Sequence, residues 1–316
     1  MLDADLVSVV IPCFNQARFL CEAIESVQHQ SYRNFEITVV DDGSSDETPK
    51  VLSRYLVQNV IRQRNHGVST ARNVGLGMSK GDFVVFLDAD DRLLPNALMT
   101  GVEALRSHRE CAFVWGQCRH INADGVPIAA RLKPVIEQDY YLNLLRTNYI
   151  RTPAVAMYRR KVFSYVGGFN PKLVGGEDYD LHLRIARRFL IHCHGKVVAD
   201  YRIHSESAMH SSAPIARSTL AALRLQAPYV RRDKRLREAY RRGMRGWRAL
   251  FAERLWNELV VNSSGPQRNW TCAWRSLWAL ARFDPNELAL RGSAQLYRAI
   301  FKSNRYEALR SDPRSQ

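Results

Sequence analysis

Long apolar runs are missing from this sequence. No window approaches the roughly 18 to 20 uninterrupted apolar residues that a helix needs to span a bilayer. No basic leader with a separate apolar stretch precedes the first hydrophobic segment, VSVVIP, so the expected location is cytoplasmic. Closely spaced cysteine pairs are lacking as well. Cys13, Cys21, Cys111, Cys118, Cys193 and Cys272 form no CxxC and lie in apolar surroundings, which argues for small buried thiols over zinc sites or disulfides. GxGxxG is absent after the first apolar run, which disfavours a dinucleotide-dependent dehydrogenase. Internal repeats and low-complexity tracts are absent too.

What is present is a 316-residue chain with 46% hydrophobic content, enough for a sizeable core in one large domain or in a domain with an appendage. Its net charge of +15 is uneven: residues 1 to 204 carry 25 Lys and Arg against 22 Asp and Glu, whereas residues 205 to 316 carry 21 against 9. The two stretches have different characters.

The first two hundred residues alternate strand and helix signals. Val7 to Ile11 is a β-branched run, Leu20, Ile24 and Val27 follow at helical spacing, and Phe35 to Val40 is another apolar run. Ser44 to Asp46 punctuates, Pro49 falls in the first turn of a helix, and a short strand is expected near Val60 to Arg62. Arg72 to Met78 reads as helix, Phe83 to Leu87 as strand, Leu98 to Ser107 as helix and Cys111 to Trp115 as strand. The pattern predicts an α/β fold with a doubly wound, mostly parallel sheet, whose ligands sit at the carboxyl ends of the strands. Beyond residue 210 apolar residues recur at helical spacing among arginines, which predicts a helical appendage, so the expected domains are 1–210 and 211–316.

Asn15, Asp41, Asp42, Asp88, Asp90 and Asp91 all fall just past the ends of predicted strands. Three carboxylates within FLDADD repel one another and are costly to bury unpaired, so either they sit in solvent as a turn or something cationic holds them together. A further acidic group, Glu177, Asp178 and Asp180, opens a helical segment in GGEDYDLHLRIA.

Taken in order, VSVVIPCFNQ, VVDDGSSDET, NHGVSTARNVGLGMSKGDFVVFLDADD and GGEDYDLHLRIA resemble the family 2 glycosyltransferases, over roughly residues 7 to 205. The resemblance implies a GT-A fold and inverting, metal-dependent transfer of a sugar from a nucleotide diphosphate donor, UDP-sugar first, to an acceptor hydroxyl of a glycan or glycolipid. It implies that Pro12, Phe14, Asn15, Asp42, Arg72 and Asp88 line the nucleotide-sugar site and that Asp90, with His204, holds Mg²⁺ or Mn²⁺. Asp91 is expected to cap the following turn, and Arg202 to meet phosphate. Asp178 is the implied general base, with Glu177 and Asp180 as alternates, and Gly168 and Glu177 lie on the acceptor side.

A pyrophosphorylase would want a glycine-rich, basic first loop, which PCFNQ is not. A non-catalytic membrane- or glycan-binding adaptor is the other reading, and the full set of acids counts against it. The basic run from Arg231 to Arg242, followed by Trp247, Trp256, Trp270, Trp274 and Trp278, fits either solvated helices around a small Trp core or a surface that docks on anionic membrane or acidic glycan; nucleic acid is not an expected partner.

Overall fold

The computed structural model describes residues 5–129, 135–204, 212–263 and 269–283. In chain order the elements are β1 (Val7–Cys13), α1 (Ala17–Gln28), β2 (Phe35–Asp41), α2 (Thr48–Leu52), β3 (Asn59–Arg62), α3 (Val68–Met78) and β4 (Phe83–Phe86). β5 (Arg92–Leu93), α4 (Ala97–Ser107), β6 (Cys111–Ile121), β7 (Pro127–Ile128), α5 (Tyr140–Arg146) and β8 (Ala156–Arg159) follow. The remainder is α6 (Val162–Val166), α7 (Glu177–Ala186), β9 (Leu190–Arg202), α8 (Ser212–Arg224), α9 (Ala227–Val230), α10 (Lys234–Ser263) and α11 (Trp270–Phe283).

One sheet runs β3-β2-β1-β4-β8-β6-β9-β5, with β7 on β6. β3, β2, β1 and β4 are mutually parallel. Every residue of β1 is buried, as both-sided helix cover requires, and its sequence is accordingly unbroken in apolar character apart from Ser8. β8 then runs antiparallel to both β4 and β6, so the second half of the sheet is mixed where the sequence pattern read as mostly parallel. α1 buries Phe19, Leu20, Ala23, Ile24 and Val27, the i, i+4 stripe visible in the sequence.

Chain contacts divide the protein into two compact units, Met1–Met244 and Arg245–Gln316. The boundary lies later than residue 210 because α8 packs on α7: Val174 N–H donates to Ser218 Oγ (2.9 Å), and a Cβ on Gly176 would come within 3.2 Å of Thr219 N. The basic residues from Arg231 to Arg242 therefore belong to the first unit.

Candidate active site

The turns after β1 and β2 are built against each other. Asn15 adopts a left-handed conformation (φ 53°), which asparagine tolerates better than most residues. Its N–H donates to Ser44 Oγ (2.9 Å), and its Oδ1 accepts Ser45 N–H (2.8 Å). Ser44 N–H in turn donates to Asp41 Oδ1 (2.8 Å). Pro12 is buried inside β1 in register with Val40, while Phe14, two residues on, is 44% exposed at the rim. Asp42 is buried and accepts from Gln63 Nε2 (2.6 Å), His66 N–H (2.9 Å) and Gly67 N–H (2.8 Å), and so ties the loop that enters α3 to the end of β2.

Arg72, on α3 and 3% exposed, joins two motifs. Its Nη2 donates to Asp88 Oδ1 (2.5 Å) and its Nη1 to Glu177 Oε1 (2.7 Å), and its guanidinium lies 5.2 Å from the Phe169 ring centre. Glu177 Oε2 accepts the N–H groups of Gly175 (2.9 Å) and Gly176 (2.8 Å). Burial pushes the Glu177 carboxyl up, but the charge of Arg72 and backbone N–H groups, that of Gly176 among them, outweigh it and hold it below the ordinary range. Glu177, expected on the acceptor side and as an alternate base, has both carboxylate oxygens engaged at the start of α7.

Of the other acids on α7, Asp180 is 1% exposed and paired through Oδ2 with Arg184 Nε (2.8 Å), which removes it as a base. Asp178 is half-buried; its Oδ1 accepts Tyr179 N–H (2.7 Å), and it makes no ion pair among the described residues. Burial, and then the charge of Glu177, push its carboxyl up to about 7. One carboxylate of the three thus combines access with the proton affinity of a base at neutral pH.

Across the crevice, His204 Nε2 is 3.0 Å from Asp90 Oδ2, and the His204 ring packs on Phe19 (4.7 Å between centres). Burial and the neighbouring charge of Asp88 hold the Asp90 carboxyl above its ordinary range. Asp91 is not a turn cap: it is buried and accepts Thr152 Oγ1 (3.0 Å) and Arg202 N–H (2.9 Å). Nor does Arg202 face phosphate. Its side chain is fully buried and donates to Asp90 O (2.8 Å), Ala123 O (2.9 Å) and Glu22 Oε2 (2.7 Å), which fastens the Asp90 loop from behind.

Gly168, expected on the acceptor side, lies close against Asn73 of α3. Asn73 brackets Phe169, accepting its N–H and donating to its carbonyl, both at 2.8 Å, and a Cβ on Gly168 would lie 2.1 Å from Asn73 Oδ1. The glycine is required by this close approach. Glu22, Thr152 and α8 were not found in the sequence. Each is an ordinary residue or helix locally, and no motif signals where it comes to lie.

No three His, Cys, Asp or Glu side chains gather as a metal site among the described residues. Asp90 and His204 would offer a metal two ligands, oxygen and imidazole nitrogen, and the charge crowding of Asp88 with Asp90 would be relieved by a cation. Such a partial set fits a hard ion that takes its remaining ligands from diphosphate oxygens and water.

A sheet of this order, with acids at the carboxyl ends of its parallel strands, is that of the GT-A transferases. The chain belongs to glycosyl transferase family 2, whose model matches residues 8–167. It is 26% identical over 186 residues to a chondroitin synthase of Escherichia coli, covering 57% of this chain and 26% of that protein. It spans only 23% to 35% of the length of the first curated relatives it matches. Its fold resembles S. aureus TarS, solved with UDP-GlcNAc (TM-score 0.59, 20% identity, 78% of this chain and 70% of that one). It also resembles mannosyltransferase PcManGT of Pyrobaculum calidifontis, solved with GDP-Man and Mn²⁺ (TM-score 0.57, 20% identity, 89% and 87%).

Proposed function

We propose that the protein is an inverting glycosyltransferase that moves a sugar from a nucleotide diphosphate donor, UDP-sugar first, to a hydroxyl of a glycan or glycolipid acceptor in cell-surface polysaccharide or glycolipid synthesis. The observation that carries the reading is the Arg72 clamp, which ties Asp88 of the donor side to Glu177, the neighbour of Asp178.

On this reading Phe14 packs against the base, Pro12, Asn15 and Asp42 shape the pocket beneath it, and Asp88 reaches the ribose or a bound water. Asp90 and His204 would hold Mg²⁺ or Mn²⁺, which would supply positive charge against the diphosphate leaving group. Asp178 takes the proton from the acceptor oxygen as that oxygen bonds to the anomeric carbon, and the pair of electrons of the breaking C–O bond leaves with the diphosphate. Arg72 keeps Asp88 and Glu177 at fixed separation, and Gly168 with Asn73 sets the wall beside the acceptor. The same reading has the enzyme work at an anionic membrane surface on its cytoplasmic side.

The test is a screen of nucleotide sugars by acceptor-dependent nucleotide release with Mn²⁺ present. One donor class should turn over with the wild type and bind without turnover to Asp178→Asn. Failure of every nucleotide sugar to bind would overturn the reading.

A further inference from the structure

We infer that α11 is a membrane-docking helix whose Trp270, Trp274 and Trp278 lie in the headgroup region of an anionic bilayer. The inference rests on the proposed function for the choice of a membrane as partner, and its geometry stands apart from the transfer chemistry.

Successive residues of a helix are turned by about 100°. Ala273, Ser276 and Leu280 therefore share one side of α11, and all three are buried. This is the packed side: Ser276 Oγ donates to Glu258 Oε2 on α10 (3.2 Å). Trp270, Trp274 and Trp278 recur every fourth residue on a different side, and they are 55%, 59% and 70% exposed. A single exposed tryptophan is ordinary, but three in a row form a continuous apolar strip, and such strips mark contact surfaces.

Charge selects the partner. α11 carries two basic residues, Arg275 and Arg282, and no acid, and both arginines are exposed next to the Trp row and away from the packed side. Residues 245 to 316, the unit to which α11 belongs, carry 12 Lys and Arg against 6 Asp and Glu. An aromatic row edged by arginine suits the boundary between headgroups and acyl chains, where indole rings settle, with guanidinium groups on lipid phosphates. No helix among the described residues is long and apolar enough to cross a membrane, so α11 lies on the surface.

The experiment uses the full chain with vesicles of phosphatidylcholine alone and of equimolar phosphatidylcholine and phosphatidylglycerol. Co-sedimentation should occur with the anionic vesicles, weaken with salt, and bring a blue shift of tryptophan emission. The double variant Trp274→Ser/Trp278→Ser should lose about tenfold or more of that partitioning, and Arg275→Gln/Arg282→Gln should lose most of the preference for anionic lipid. All four positions are exposed, so circular dichroism should be unchanged in both variants. Absence of binding to anionic vesicles, equal binding to both vesicle types, or wild-type binding by the Trp variant would each overturn the inference. A dimer in gel filtration that the Trp variant dissociates would assign the face to a second copy instead and would equally overturn it. Partitioning is read without any sugar donor, so failure of the donor screen and failure of this proposal are distinguishable.

Discussion

Arg72 on α3 and Glu177 at the start of α7, 105 residues apart, meet at 2.7 Å with neither side chain open to solvent. The second arm of the same guanidinium holds Asp88, so one buried cation sets the spacing between the acids after β4 and the helix that carries Asp178.

Removing that cation should do more than weaken a contact. Arg72→Ala leaves Glu177 buried without its charge partner, a change that costs about 3–5 kcal/mol when a buried pair is broken from one side. Arg72→Lys keeps the charge but cannot reach both carboxylates with a fork, and should be intermediate. Urea unfolding of the two variants checks this, and a wild-type midpoint for Arg72→Ala would refute the clamp.

Asp178→Asn should lower the transfer rate by about a hundred- to ten-thousand-fold with little change in donor affinity, because the amide keeps the shape and cannot take a proton. Glu177→Gln should instead lose stability, since the amide lacks the charge that faces Arg72. Calorimetric donor binding beside transfer rates separates them. A dead Glu177→Gln of full stability beside an active Asp178→Asn would reverse the assignment.

The carboxyl of Asp178, pushed up to about 7, gives a pH signature. The base acts when deprotonated, so kcat/KM should be full above pH 7, fall through that value, and drop about tenfold per unit below it. Stability runs the other way. A folded pKa raised above the unfolded one, ordinarily near 3.8, makes the ionised group destabilising, fully so above pH 7 and not at all below the unfolded value. Asp178→Asn should therefore be more stable than the wild type by about 1–3 kcal/mol above pH 7, with the gain shrinking as pH falls. Thermal unfolding of both proteins across this range is the measurement.

Turnover should require a divalent cation. Excess EDTA or Asp90→Ala should abolish it, and His204→Gln should raise the Mn²⁺ concentration for half-maximal activity, while the unfolding midpoint of each variant stays near that of the wild type. Full activity in EDTA would remove the metal from the scheme.

Gly168→Ala should destabilise by about 1–3 kcal/mol, because the new methyl collides with Asn73 Oδ1. In a double-mutant cycle with Asn73→Ala the two losses should be less than additive, since truncating Asn73 removes the obstacle. Strict additivity would mean that the glycine is needed for something other than this contact.

The sequence by itself determined the parallel half of the sheet, the helices that cover it and the placing of Asn15 after β1 and of the acids after β2 and β4, because strand and helix periodicity and a turn after each strand are local properties. The ends of two of the elements differ by only one residue: Phe83–Leu87 against Phe83–Phe86, and Leu98–Ser107 against Ala97–Ser107. Helix α3 begins earlier than its apolar pattern, at Val68, and β6 runs on to Ile121 past the apolar run that announced it. Only the tertiary structure decided what each acid of α7 meets. Glu177, Asp178 and Asp180 are alike in sequence and differ in what faces them: Arg72 from α3, no ion-pair partner among the described residues, and Arg184 one turn away. Arg202 is decided in the same manner, since its hydrogen bond to the Asp90 carbonyl spans 112 residues of chain. A buried charge takes its role from its partners, and partners so far apart in sequence are fixed by the packing of the whole domain.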